Sequence, residues 1–339
     1  MTSRYRLFRR LALAGVVLAF GVVVLGAYVR LNAAGLGCPD WPGCYGHLSA
    51  GDAARNVDAI NEAFPQRPFE YHKAIKEMVH RYFASSLGFL ILVLAGLAIA
   101  NRKDPQQPLV LPIVLVGLVI LQGLLGMWTV TLLLKPLIVV LHLLGGLATL
   151  SLLAWLALPR SESGEMGTVP FLRKIAAAAL VVLALQIALG GWTSSNYAAF
   201  ACPDFPTCQN SMWPQMDVKD AFILWRGLGI DYEGGVLDAP ARVAIHFMHR
   251  LGAIVAALML GFASIAAMRL GPTRGVRIAG AALGAVLVCQ LILGPVMVIR
   301  ALPLALATAH NAVAALLLLA AVALNRSLAG LASPSQAKA

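Results

Sequence analysis

Charge is what this sequence most lacks: Asp, Glu, Lys and Arg together make up 12% of its 339 residues, and only 15 of them are acidic. An ordinary soluble domain carries about 25% charged residues. With 60% hydrophobic residues and a mean hydropathy of +0.80, a water-soluble fold is excluded and an integral membrane protein is expected. No small-residue cleavage site follows the first apolar run cleanly, although Arg4, Arg6, Arg9 and Arg10 precede it. That run is also too long for the core of a secretory signal, so it reads as a retained first helix. Cysteine is scarce as well, with five in the chain, and four of them fall in two polar stretches.

What is present instead is a series of uncharged apolar runs: Leu11–Val29, Tyr82–Ala100, Leu109–Leu134, Pro136–Pro159, Ile175–Ala201, Leu251–Met268, Ile278–Ile299 and Ala301–Asn325. Each is long enough to cross about 30 Å of hydrocarbon. Eight spans put both termini on one side. The segments on that side carry 14 Lys/Arg against 3 Asp/Glu, and everything else carries 12 of each. The termini are therefore expected on the cytoplasmic side of the membrane, with the long polar connections, about residues 30–76 and 195–240, outside in an oxidising compartment. The pI of 9.8 thus reports orientation in a lipid bilayer, and no nucleic-acid partner is implied. Arg160 to Pro170 reads as a linker, and Ser333 to Ala339 as a disordered tail.

Self-similarity is the strongest signal. The heptapeptide CPDWPGC, Cys38 to Cys44, returns as CPDFPTC, Cys202 to Cys208. Cys38 and Cys202 are 164 positions apart, His80 and His249 169, Gln122 and Gln290 168, and His142 and His310 168. Landmarks that keep order and spacing imply tandem duplication of a four-helix unit, in parallel because four is even. The expected fold is all-α, an integral membrane protein of eight transmembrane helices in two tandem four-helix bundles, residues 1–160 and 161–339. The odd-numbered spans share a Leu-Gly pair, Leu25-Gly26, Leu125-Gly126, Leu189-Gly190 and Leu293-Gly294, preceded in three cases by Gln122, Gln186 or Gln290. These glycines read as close-packing positions in lipid.

The even-numbered spans carry histidines instead. His80 lies near the outer end of the second span, and His142 follows Pro136 by six residues on the fourth. Both are expected about 5–10 Å below the external boundary, and His249 and His310 likewise. Two facing helices that each offer an imidazole at matched depth are what a bis-histidine heme needs, so all four are candidate ligands of heme iron. The alternative is a set of isolated, hydrogen-bonded intramembrane histidines. Zinc or copper is disfavoured because no thiolate or carboxylate cluster accompanies His142 or His310. Arg81 and Arg250 follow two of the histidines where heme propionates would emerge, although an arginine snorkelling to the interface is the competing reading.

The halves differ where Glu77-Met-Val-His80 becomes His246-Phe-Met-His249. A carboxylate beside one heme suits proton handling or stabilisation of a cationic intermediate, and its carboxylate-free twin suits electron transfer. The competing reading of Glu77 is an interfacial residue that starts a helix. His246 reads as a hydrogen-bonded outer-shell residue, and so do His47 and His72 of the external loop. The C-x5-C pairs are open between structural staples and redox-active disulfides, with metal binding by Cys38, Cys44 and His47 a weaker option. Cys289 reads as a small core residue.

VRLNAAGLGCPDWPGC, EMVHR, LHLLGG, CPDFPTC, HFMHR and AHNAVAAL, in this order across eight spans, resemble the heme A synthase family over essentially the whole chain. The resemblance implies oxidation of the C8 methyl of heme O to the formyl of heme A through hydroxylated intermediates. It implies that His80 and His142 bracket the heme O substrate, with Glu77 as the essential carboxylate, and that His249 and His310 ligate a heme b cofactor that relays electrons. The Cys38–Cys44 pair matches the family's functional loop, whereas Cys202–Cys208 is shared by only some members. Implied partners are a heme O synthase upstream and a heme-copper terminal oxidase downstream, and a homo-oligomer is compatible with these features. An iron held by both His80 and His142 has no open position, which favours removal of electrons and protons from the methyl group followed by attack of water. The rival functions are a diheme b-type electron carrier linked to quinol, a membrane thiol oxidoreductase, and a transporter. The last is weakened by the lack of midplane charges and broken helices.

Overall fold

A computed structural model describes residues 3–159, 168–329 and 331. The long helices are α1 (Ser3–Leu31), α2 (Tyr71–Ala100), α3 (Val110–Thr131), α4 (Pro136–Ala157), α5 (Val169–Ser195), α6 (Ala239–Leu270), α7 (Arg274–Ile299) and α8 (Leu304–Ala329). All eight are long and apolar enough to cross a membrane, and no β-strand occurs among the described residues. The chain is a multi-pass, all-α membrane protein. The expected linker, apart from Thr168, Val169 and Pro170, and the expected tail lie outside the described residues.

Several helices outrun their uncharged stretches. α2 begins at Tyr71 rather than Tyr82, and α6 at Ala239 rather than Leu251. Glu77, Arg81, Arg242 and Arg250 interrupt the apolar run but not the backbone ladder, because a helix satisfies its own peptide groups whatever its side chains. α5 stops at Ser195, short of Ala201: the Asn196 carboxamide donates back to the Trp192 carbonyl (3.0 Å), and Tyr197 turns the chain through the left-handed region, φ 54°.

α1 packs against α2 and α4, and α3 closes the ring on the same two helices, so α2 and α4 face across it. α5, α6, α7 and α8 close a second ring, with α6 opposite α8. The rings meet along α1–α8, α4–α5 and α4–α8. Leu94, Leu115, Leu150, Leu260, Leu283 and Leu324 are wholly buried in one continuous apolar core. In lipid this core is held by van der Waals packing rather than by release of water. The outward faces keep large apolar side chains such as Phe89, Leu258 and Val17 exposed, which lipid tolerates. Cys289 is on such a face rather than in the core: α7 buries Gly280, Leu283 and Leu287, and a thiol exposed to hydrocarbon loses little. At the ends away from the long loops, Arg9 donates to the Ala157 carbonyl (2.9 Å) and Arg173 to that of Leu328 (3.0 Å), capping α4 and α8.

Candidate functional site: paired histidines beneath two disulfide loops

α2 and α4 carry His80 and His142 across the first ring, and α6 and α8 carry His249 and His310 across the second. Counted from the start of its helix, His80 is about 13 Å along the axis, His249 about 15 Å, and His142 and His310 about 9 Å. His80 is thus more than two turns inside α2 rather than at its end, because the helix starts earlier than its apolar run.

The Leu-Gly repeats find their explanation here. A methyl group built on Gly26 would come 2.9 Å from His80 Cε1, one on Gly190 3.1 Å from His249, one on Gly126 3.5 Å from His142 and one on Gly294 3.6 Å from His310. Each glycine therefore faces one histidine and clears room for its ring, a role that the packing reading did not foresee. The signal was in the chain: four glycines on odd helices matched one for one with four histidines on even helices. The Nδ1 atoms of His80, His142 and His310 are buried without a protein partner. Buried polar atoms of that kind are costly and call for an explanation. Paired imidazoles, glycine-cleared space and orphaned ring nitrogens fit an iron porphyrin within each ring.

Above each pair lies a heptapeptide closed by a disulfide, Cys38–Cys44 and Cys202–Cys208, with Cα atoms 4.7 and 4.6 Å apart. The two loops are built alike. Asp40 accepts the backbone N–H groups of Tyr45 (2.5 Å) and Gly46 (2.8 Å), and Asp204 those of Gln209 (2.6 Å) and Asn210 (3.0 Å). The Thr207 hydroxyl also donates to Asp204 and is the main reason its carboxyl lies below the ordinary range. Cys44 pairs its backbone with His47, and Cys208 with Ser211. Both Cys38 and Cys44 are spent in the disulfide, which removes the thiolates that metal binding with His47 required, and no group of three metal-ligating residues occurs among the described residues. His72 is an exposed side chain 3.5 Å from Glu70.

Arg81 and Arg250 reach up from the histidine helices into these loops. Arg81 donates to the carbonyls of Asp40 (3.0 Å), Pro42 (3.2 Å) and Gly43, and Arg250 to those of Thr207 (2.7 Å), Asp204 (2.8 Å) and Cys202 (3.0 Å). The structure places both guanidinium groups on the loops.

The asymmetry between the pairs is physical. Glu77 is 5% exposed and lies beyond the first turn of α2, so it is not a helix-starting interfacial residue. Its Oε2 accepts the Cys38 N–H at 3.0 Å and its Oε1 is paired with Arg81. One carboxylate thus ties the disulfide loop to the helix turn that bears His80. At the matching place His246 is equally buried, packed on the backbone of Ala198 and Ala199 with Nδ1 unpartnered.

Two histidine pairs inside eight apolar helices, each beneath a disulfide loop, define a polytopic membrane protein organised around buried imidazoles. The chain belongs to the COX15-CtaA family, described as cytochrome oxidase assembly protein, which matches residues 9–322. It is 43% identical to the heme A synthase of Shewanella oneidensis over 307 residues, covering 90% of this chain and 91% of that protein. It is 26% identical to the heme A synthase of Rhizorhabdus wittichii over 329 residues (90% and 89% covered) and 27% identical to that of Caulobacter vibrioides over 336 residues (90% and 91%).

Proposed function

We propose that this chain is a heme A synthase that oxidises the C8 methyl group of heme O to the formyl group of heme A. The observation that carries the assignment of sites is Glu77, fixed between Cys38 and Arg81 one turn from His80, where the other ring has His246. On this reading residues 1–160 hold heme O as substrate between His80 and His142, and residues 161–339 hold heme b between His249 and His310. Heme b, when bound, supplies one-electron relay toward an acceptor. Arg81 and Arg250 serve heme binding through the loops that they hold over each pair.

Each oxidation takes an electron pair and a proton from the methyl carbon and adds hydroxide from water, whose other proton is released. The second oxidation gives a gem-diol that loses water to the aldehyde. The methyl carbon becomes electron-poor on the way. A carboxylate whose oxygens are held by a peptide N–H and a guanidinium is a preorganised negative charge, suited to steadying that carbon without reorganising. Both carboxylate oxygens are already engaged, by the Cys38 N–H and by Arg81, so charge stabilisation is favoured over proton abstraction as its role.

The long loops face the outside and both termini the cytoplasm, as the Lys/Arg asymmetry supports. A heme O synthase would deliver the substrate and a heme-copper oxidase would receive the product, with a second copy of the chain as a further partner. Replacing Glu77 by Gln keeps shape and removes charge: conversion is expected to fall about 100- to 1,000-fold with heme still bound. Full conversion by Glu77→Gln with heme bound would remove this role.

A further inference from the structure

Lys76 and Arg30, at the loop end of the first ring, pair with no carboxylate among the described residues. Lys76 stands one turn from His80 on α2, about 6 Å closer to the disulfide loop. Leu87, Ile91 and Leu94, on the same side of α2 as His80, are buried in the core, and Lys76 continues that stripe toward the loop. Its ammonium donates to the Asn32 side-chain oxygen at 2.9 Å and lies 5.6 Å from the centroid of the Tyr28 ring, so it has further N–H groups to give. Arg30 follows Gly26, the glycine that faces His80, by one turn of α1, in line with the buried Ala12 and Ala19. One terminal nitrogen donates to the carbonyls of Ser194 (3.0 Å) and Ser195 (3.4 Å), while Nε is buried without a partner. The matched positions of the second ring are neutral. Ile245, wholly buried, precedes His249 by four residues as Lys76 precedes His80, and Ser194 follows Gly190 by four as Arg30 follows Gly26.

We propose that Lys76, with Arg30 beside it, binds the propionate carboxylates of heme O, so that the first ring selects a free-acid porphyrin and holds it in one register. This rests on the reading that His80 and His142 hold the substrate. The charged edge of an otherwise apolar macrocycle turns toward the nearer end of the bundle, and both histidines lie in the halves of their helices nearest the loops. Arg81, the other cation at that end of α2, is already taken by Glu77 and by loop carbonyls. Lys76 is the cation with donors left, and a carboxylate there gains charge-assisted hydrogen bonds. In a heme the C8 methyl shares a pyrrole with one propionate. Anchoring that carboxylate at Lys76 therefore fixes where the methyl stands relative to Glu77, the next residue in the chain. A heme that is kept and not altered needs no such registration, in keeping with Ile245 and Ser194 at the matched positions.

The test titrates the full-length protein, isolated with heme b in place, with heme O and with its propionate dimethyl ester, and reads the low-spin absorbance of bis-histidine heme. Esterification removes both negative charges and leaves the macrocycle as it was. The unaltered protein is expected to bind the acid about 10- to 100-fold more tightly than the ester. Lys76→Met and Lys76→Gln are expected to lose most of that preference, and Lys76→Arg to keep it. Comparing the acid-to-ester ratio between proteins cancels the greater hydrophobicity of the ester and any general loss of stability. Equal binding of acid and ester by the unaltered protein would overturn the proposal without any variant having to fold. So would the full preference kept in Lys76→Met or Lys76→Gln. The underlying reading is checked separately with His80→Ala. Loss of the low-spin signal on adding heme O upholds it, and persistence of that signal overturns it whatever the acid-to-ester ratio.

Discussion

At Gly26 a missing side chain decides where His80 can stand. A β-carbon at 2.9 Å from the ring is closer than real contacts allow, whereas one on Gly294, at 3.6 Å from His310, is an ordinary contact. Gly26→Ala should therefore lower heme occupancy of the His80/His142 site about tenfold, as loss of ligand orientation does elsewhere. Gly294→Ala should leave occupancy of its own site nearly unchanged. Extracted heme per protein, with helix content as a control, checks both. His142 and His310 were legible in the sequence because an ionisable group in an apolar run is conspicuous, and His80 and His249 because they recur at nearly the same offset. Their glycine partners were visible as a repeat but not as partners, since facing across helices is a pairwise fact that one sequence does not state. The reach of Arg81 and Arg250 into the loops was hidden for the same reason.

At the scale of the element, helix number and type followed from length and hydropathy, and helix ends did not. Apolar runs mark where a helix can meet lipid, whereas helix ends are set by backbone turns such as Tyr197 and by charged residues that loops can satisfy. The two disulfide loops were legible as a repeat, but their internal wiring was not. That wiring makes the two arginines unequal. Arg81 is paired with a carboxylate that is itself buried, with side-chain exposures of 13% and 6%. Removing one member of a buried pair costs about 3–5 kcal/mol, because the other charge is left uncompensated. Arg250 binds three carbonyls and stands over the Phe205 ring; Arg81 also binds three carbonyls, so the carboxylate pairing is what sets the two arginines apart. Unfolding in detergent should show Arg81→Ala as the more destabilised, and restoring neutrality with Glu77→Gln should recover part of that loss. Equal destabilisation of Arg81→Ala and Arg250→Ala would contradict the description of Glu77 as a buried, paired charge.

Across the whole molecule, the second long loop folds back over the first ring. The Tyr232 N–H donates to the Leu133 carbonyl at 3.0 Å, and the ring is buried with Leu36, Val130 and Leu134. Lys135 is buried beneath Trp225, its ammonium 3.6 Å from the ring centroid and bonded to the Gly227 carbonyl. Arg67 of the first loop joins Asp231 (2.6 Å) and Glu233 (2.7 Å) of the second. Nothing in the sequence announced this crossing, because its partners lie far apart along the chain and belong to no shared motif. These ion pairs are partly exposed, with Asp231 at 50% and Glu233 at 31%, so Arg67→Ala should cost less than about 1 kcal/mol. A larger loss in the same unfolding assay would mean that the loops are clasped by charge rather than by the apolar packing of Tyr232.

The central claim is that the two histidine pairs hold chemically different hemes. It is tested most directly by purifying the protein from a host that supplies heme O, extracting the non-covalent porphyrins, and identifying them by chromatography and mass. The account predicts heme O, its hydroxylated form or heme A alongside heme b. Two equivalents of heme b alone, despite available heme O, would contradict it and leave a diheme electron carrier in its place.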